Sequence, residues 1–220
     1  MMIIRNEEPK DYQCVEDITR RAFYNLYVPG CTEHYLVHIM REHTDFIPEL
    51  DFVIELDGKV IGSMMYTKSW LQDENGAEKE IVTFGPVSID LPYQRQGYGK
   101  KLMEYSFARA KELGYEAIVI FGSPENYVSR GFVSCEKYQV RTADGDYPAA
   151  MLVKELVPGV LSGKSWIYRD SAVMAVSEEE AERYDSGFPP MKKEWRPSQE
   201  EFYILSRASL LYGKIKKEML

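Results

Sequence analysis

The residues best suited to chemistry form a glycine-rich segment at positions 94–101, with the sequence QRQGYGKK. Gly97 and Gly99 lack a Cβ atom, so the backbone around them can approach a ligand closely. A glycine-rich turn that leads into a helix directs several N–H groups and the positive helix end at one spot. Arg95 and two lysines add positive charge. The segment is predicted to bind an anion such as a pyrophosphate, although this pattern alone also fits an ordinary helix-entry turn.

The elements on both sides of this segment place it between two strands. The sequence predicts a strand from about Glu80 to Asp90, a helix over Gln96–Leu113 with Gly114 as its cap, and a strand at Ala117–Phe121. A strand–helix–strand unit implies a right-handed crossover and therefore a parallel strand pair.

The residues before this unit predict a short strand, two helices and a hairpin. The strand is Met2–Arg5, and the helices are capped by Asp11 and Thr32, the second ending near His43. Phe52–Leu56 and Val60–Tyr66 are predicted strands. The Asp-Gly dipeptide between them is typical of a two-residue hairpin turn. A polar turn at positions 73–76 then leads into the strand that begins near Glu80.

Downstream, strands are predicted around Val133–Arg141 and Ala149–Glu155, separated by another Asp-Gly turn. The result is an α+β fold with a mixed, mostly antiparallel sheet of six or seven strands. The remaining positions, 156–220, read as an extension with a final helix from Ser198 to about Tyr212. Its aromatic residues are expected to pack on the main sheet or across a cleft, with dimerisation as the alternative.

The strand-to-helix turn resembles the signature of the GNAT superfamily of N-acetyltransferases, Gln/Arg-x-x-Gly-x-Gly/Ala. Gln94, Gly97 and Gly99 occupy its defined positions. The predicted order of strands and helices also resembles that family from residue 2 to about 155. The resemblance implies a sheet in which the central parallel strands splay apart, flanked by helices. It also implies coenzyme A binding at two sets of residues: the pyrophosphate at the backbone of Gln94, Arg95, Gln96, Gly97, Tyr98, Gly99 and Lys100, and the pantetheine arm at Val87, Ser88 and Ile89.

A second resemblance covers positions 123–132, where Tyr127 stands four residues before Gly131, as in the family. In many relatives this tyrosine protonates the departing thiolate, which makes Tyr127 the candidate general acid. A buried aromatic that anchors a short helix is the alternative. Asn126 is a candidate contact to the coenzyme, although neither it nor Ser123 has the spacing of the family's usual asparagine.

The general base is not identified by the sequence. Glu80, Glu42 and Asp51 are candidates, each of which also fits a solvated charge. His34 and His38 share a helix face, but without a third ligand they fit partly exposed histidines better than a metal site, and His34 could contact the acceptor. Cys31 and Cys135 lack a basic partner in sequence and are expected to be inert buried thiols.

Composition narrows the class of protein. The charged fraction of 28% and apolar fraction of 45% are those of a folded globular protein, and the net charge of −8 disfavours nucleic acid and anionic membranes as partners. The three scattered cysteines and the lack of an apolar leader favour a cytoplasmic, metal-free protein, either monomer or homodimer.

The resemblance implies acetyl transfer from acetyl-CoA to a primary amine on a small molecule or peptide, by direct attack in a ternary complex. A backbone N–H near Ile89 would stabilise the oxyanion. The alternative is a regulatory or sensing module that binds acyl-CoA without significant turnover.

Overall fold

The computed structural model describes residues 1–210, which form eleven strands and six α-helices. The strands are β1 (Met2–Asn6), β2 (Phe52–Leu56), β3 (Lys59–Met64), β4 (Tyr66–Asp73), β5 (Glu78–Phe84), β6 (Ser88–Ile89), β7 (Ala117–Phe121), β8 (Val133–Ser134), β9 (Val140–Arg141), β10 (Met151–Glu155) and β11 (Trp166–Arg169). A seven-stranded sheet has the order β8-β10-β7-β5-β4-β11-β9, and a four-stranded sheet has the order β1-β2-β3-β6. The expected mixed sheet, mostly antiparallel, is confirmed.

The helices are α1 (Tyr12–Phe23), α2 (Glu33–Met40), α3 (Tyr98–Glu112), α4 (Pro124–Tyr127), α5 (Glu178–Asp185) and α6 (Pro197–Arg207). Helices α1 and α2 contact each other, and α1 packs on β3 and β6. Helix α3 packs against β2, β3 and β6. Gly114 follows α3 with φ +93°, and its N–H donates to Lys111 O, so the predicted cap is confirmed. No helix within residues 1–210 is long and apolar enough to span a lipid bilayer.

The parallel pair of the larger sheet separates almost at once. Strands β5 and β7 pair at Val82 and Ile118, and beyond this point the chain of β5 turns away and continues as β6, which pairs with β3. The predicted strand from Glu80 to Asp90 is therefore interrupted. Gly85 donates its N–H to Met65 O, and a Cβ at Gly85 would lie 2.7 Å from Met40 Sδ. The break thus has a glycine because α2 packs directly on the backbone there.

Two further sequence expectations were wrong in detail. The predicted strand Val60–Tyr66 is split at Met65, where the chain leaves the smaller sheet and continues in the larger one as β4. The predicted strand Val133–Arg141 is divided by a 3₁₀ turn at Cys135–Tyr138, after which Gln139 has φ +52°. Neither break carries glycine or proline, so local turn chemistry gave no signal for it.

The residues after Leu156 contribute to the main sheet and cover its helices. Strand β11 pairs with β4, and its Trp166 is 2% exposed. Helix α5 is fixed to α1 by Arg20, whose Nε lies 2.6 Å from Asp185 Oδ1. The predicted final helix is observed as α6, and Tyr212 lies outside the described residues. The division at residue 155 remains a prediction about domain organisation.

The contribution of the extension to stability can be tested by comparing a buried tryptophan, Trp166, with an exposed one, Trp195. Trp166→Ala should lower the free energy of unfolding by about 3–5 kcal/mol, because it removes a buried indole that also donates to Leu161 O. The matched change Trp195→Ala, at a side chain that is 66% exposed, should alter it by less than about 0.5 kcal/mol. Chemical denaturation of both variants measures the difference. Equal effects would show that β11 does not contribute to the stability of the sheet.

Candidate active site

The cleft between β6 and β7 begins where β5 and β7 separate, and its β6 side offers unpaired backbone groups. Asp90 donates its N–H to Ile61 O at 2.8 Å, in register with the pairs Gly62–Ile89 and Ser63–Ser88. Successive residues of a strand point their N–H and C=O groups in opposite directions. Ile89 and Val87 therefore direct theirs away from β3, toward the cleft.

The other predicted strand residue, Ser88, is oriented inward. Its hydroxyl is fully buried and lies 2.9 Å from Ser63 Oγ and 3.0 Å from Thr19 Oγ1. These bonds tie β6 to β3 and α1. The Ser88 side chain thus holds the strand in place, while the backbone N–H and C=O groups of Val87 and Ile89 face the cleft.

The glycine-rich segment forms the turn that leads from β6 into α3. Gly97 precedes the helix with φ +87°, and Arg95 also has a positive φ, +60°. The first N–H groups of a helix have no partner inside it, so those at Tyr98, Gly99 and Lys100 are oriented outward from the helix start. The side chains of Arg95 and Gln96 are exposed, and so is that of Lys100, 3.6 Å from Glu104. This turn has the backbone geometry of an anion site.

Gln94 links the turn to the strand. Its side-chain Nε2 donates to Ile89 O at 2.9 Å, which leaves the Ile89 N–H as the group that faces the cleft. Gln96 makes an equivalent contact to Pro92 O at 2.8 Å. Both glutamines therefore act in this structure by holding the turn in shape.

Tyr127 packs at the base of the cleft, on the side of the sheet that carries α3. Its ring centroid lies 5.8 Å from that of Phe84 and 5.7 Å from that of Phe132. A Cβ at Gly122 would lie 2.5 Å from the Tyr127 ring, so this glycine makes room for the tyrosine. Burial raises the pKa of the Tyr127 phenol, which keeps it protonated. Asn126 is exposed on the same short helix.

The opposite face of the sheet carries polar groups that the sequence did not single out. Thr67 and Thr83 are directly paired across β4 and β5, and Tyr168 on β11 pairs with Leu71 of β4 on the same face. Asp170 follows two residues after Tyr168. The alternating run of Trp166, Ile167, Tyr168 and Arg169 was the available signal for a strand that would place these groups here.

The residues proposed as bases from sequence lie in other surroundings. Glu80 and Glu42 are exposed, and Glu80 is 3.3 Å from Lys68 Nζ. Asp51 is buried, and burial together with neighbouring Glu7 raises its pKa.

The histidine and cysteine expectations can be compared directly. His34 is fully buried beneath α5 rather than partly exposed, its Nε2 lying 3.2 Å from Asp185 Oδ1, and desolvation lowers its pKa to about 4. The prediction of a partly exposed His34 was wrong because the extension covers it. Cys31 and Cys135 are both buried, and burial raises the pKa of the Cys135 thiol to about 11.

The C-terminal segment runs beside this site. Asn25, between α1 and α2, donates to Lys192 O and accepts from Glu194 N, and Gln199 of α6 donates to Asn25 O. The Phe202 ring of α6 lies 4.7 Å from that of Tyr27. At the other end, Ala149 N–H donates to Ala208 O. Helix α6 therefore bridges the α1–α2 loop and the loop before β10.

The splayed sheet, the glycine-rich turn at the start of α3 and the tyrosine at the base of the cleft define an acetyltransferase fold. The chain belongs to the acetyltransferase (GNAT) family, whose family model matches residues 20–135, more than half of its length.

Particular relatives support this membership. The chain is 29% identical over 163 residues to the uncharacterized N-acetyltransferase YhbS of Escherichia coli K12, covering 74% of this chain and 92% of YhbS. It is similar to the crystal structure of E. coli YhbS in complex with CoA, with a TM-score of 0.68, 26% identity and coverage of 80% and 92%. A GNAT acetyltransferase of Brucella melitensis, in complex with acetyl-CoA, shares the fold with a TM-score of 0.62, 23% identity and coverage of 79% and 98%.

The contact between Gly122 and Tyr127 can be tested by a double-mutant cycle. Gly122→Ala should destabilise the protein by about 1–3 kcal/mol, because the added methyl group displaces the Tyr127 ring. In a Tyr127→Ala background the same change should cost much less, since the ring is gone. Unfolding free energies of the four proteins give the coupling. Additive effects would mean that Gly122 is constrained by something other than Tyr127.

Proposed function

We propose that the protein transfers an acetyl group from acetyl-CoA to a primary amine. The observation that carries the proposal is the cleft itself, in which the outward-facing backbone of Val87 and Ile89 leads directly to the anion-binding turn at Gly97–Gly99. An extended pantetheine arm needs backbone hydrogen bonds, and a pyrophosphate needs N–H groups at a helix start. Two similar structures, from E. coli and Brucella melitensis, contain CoA and acetyl-CoA respectively.

In the proposed complex the coenzyme lies between β6 and β7 with its thioester toward Tyr127. The Ile89 N–H is free because Gln94 occupies only the carbonyl of that residue, and this N–H is the candidate donor to the thioester oxygen. A neutral amine attacks the carbonyl carbon directly and its nitrogen releases one proton to water. The carbon–sulfur bond breaks, the thiolate takes a proton from the Tyr127 phenol, and the phenol recovers its proton from solvent. Holding both reactants in one cleft supplies much of the rate.

A protein that binds acyl-CoA without turnover is the competing function. Tyr127 favours the enzyme, because its burial and raised pKa keep a proton donor at the base of the cleft. The two functions differ in one measurement: free thiol accumulates with an amine acceptor only if the protein is an enzyme.

Coenzyme binding is tested at Gly99. Acetyl-CoA should raise the melting temperature of the wild type by mass action. Gly99→Val should abolish this shift, because its side chain would occupy the surface where the phosphate approaches, while the nearest atom to the new Cβ, Ile89 Cγ1 at 3.6 Å, leaves the fold intact. Ala108→Val, at an exposed position of the same helix, is the matched control and should keep the shift. A full shift in Gly99→Val would place the phosphates elsewhere.

The general-acid role is tested by Tyr127→Phe, which keeps the packed ring and removes the hydroxyl. Turnover should fall by about 10²–10⁴-fold while the affinity for acetyl-CoA stays nearly constant. Because burial raises the phenol pKa, the protonated form persists to higher pH, so alkaline loss of wild-type activity is expected only above about pH 10. Steady-state kinetics across pH measure both effects. Unchanged turnover in Tyr127→Phe would make the tyrosine a packing residue.

A further inference from the structure

Three buried hydroxyl groups on one face of the larger sheet make no hydrogen bond of normal length and angle among residues 1–210. They are Thr67 Oγ1, Ser69 Oγ and the Tyr168 hydroxyl. Thr67 and Ser69 are 0% exposed and Tyr168 is 6% exposed. Buried polar groups almost always have strong hydrogen-bond partners, whereas the Tyr168 hydroxyl makes only weak contacts with Ser69, Thr83 and Asp170, so the cluster retains capacity to accept hydrogen bonds from a ligand.

Asp170 stands beside these hydroxyls and also lacks a compensating charge. It is largely buried near the Tyr168 hydroxyl, and this burial raises its pKa. It accepts a hydrogen bond from Ser171 N, but no Lys, Arg or His in the described part of the chain forms an ion pair with it. A buried carboxylate normally has a cationic partner, so the site is complementary to a cation.

The position of this cluster relates it to the cleft. Tyr168 lies near Thr83 of β5, and its ring is 6.1 Å from that of Phe121 at the end of β7. The Tyr168 side chain therefore lies beside both β5 and β7 at the point where these two strands separate. The adjacent residues Phe84 and Ile120 point to the other face, where Tyr127 packs. The Phe121 side chain is 53% exposed, so solvent reaches the border of the cluster while its hydroxyl groups are buried.

We propose that Asp170, together with the hydroxyls of Tyr168, Ser69 and Thr67, binds the acceptor as its ammonium ion on the face of the cleft opposite Tyr127, and that this ion loses one proton to water before the neutral amine attacks. An ammonium group has three donors and one positive charge, which match hydroxyl acceptors around a carboxylate. The inference rests on the proposed acetyl transfer, since it assigns the acceptor side of the same cleft. Tyr168 and Asp170 lie outside the part of the chain matched by the family model, so the extension supplies this pocket.

The binding test uses CoA-saturated protein and three primary amines as probes: n-hexylamine, phenethylamine and spermidine. Calorimetric titration should show that at least one amine binds the wild type. Asp170→Asn should weaken that binding by about tenfold or more, because a charged hydrogen bond is lost. Tyr168→Phe should weaken it by a smaller factor of about threefold. Glu112→Gln, which removes one exposed carboxylate from α3, is the charge-matched control and should bind as the wild type does.

Two controls make the result decisive. Affinity for CoA should stay within about twofold in every variant, since the pocket lies on the amine side of the cleft. Amine affinity in Asp170→Asn equal to that of the wild type, or no amine binding to the wild-type complex, would overturn the ammonium pocket. If acetyl-CoA still shifts the melting temperature in that case, the proposed function survives. Absence of that shift in the wild type would overturn the proposed function and the pocket with it.

Discussion

The fold depends on which strand the backbone of residues 85–90 pairs with, β7 or β3. Beyond Phe84 the chain could continue beside β7, but residues 88–90 bond to β3 instead, and the parallel pair is reduced to the contact between Val82 and Ile118. The two sheets separate at this point because the predicted single strand is divided between them: β5 pairs in the seven-stranded sheet and β6 pairs in the four-stranded sheet. The cleft is the consequence, and its unpaired edge is stable only because water or a ligand can satisfy it.

Packing on both faces enforces this separation. The Ser88 hydroxyl meets Ser63 and Thr19, while Gly85 allows Met40 of α2 to lie on the backbone at the break. On the other face, the aromatic cluster around Phe84 fills the base of the cleft and holds Tyr127. Gly85 at the break and the aromatic cluster around Phe84 at the base of the cleft therefore together produce an open cleft with a closely packed base. The proposed reaction requires this combination, since it depends on positioning.

The cleft has chemically distinct sides. The turn before α3 presents helix N–H groups and the side chains of Arg95 and Lys100, which suit phosphates. The face near Asp170 presents a carboxylate and buried, weakly bonded hydroxyls, which suit an ammonium group. An anionic coenzyme and a cationic acceptor would thus be separated by charge as well as by position. The extension, fixed through Arg20 and Asn25, completes the second side.

The sequence by itself determined the elements whose signals are local. The Gly97–Gly99 turn, the cap at Gly114, the hairpin after Leu56 and the spacing from Tyr127 to Gly131 all depend on glycine conformation or short periodicity, and they indicated the family and the proposed coenzyme side of the cleft. The tertiary structure alone decided the features that depend on long-range pairing. The chain changes sheets at Met65 without any turn residue, β11 pairs with residues of β4 that lie 93 to 99 positions earlier, and α5 buries His34. The proposed acceptor side of the cleft is built from such contacts. The sequence offered a strand pattern around Tyr168 but nothing that singled out Asp170, because the burial of a carboxylate away from any cation is decided only by folding.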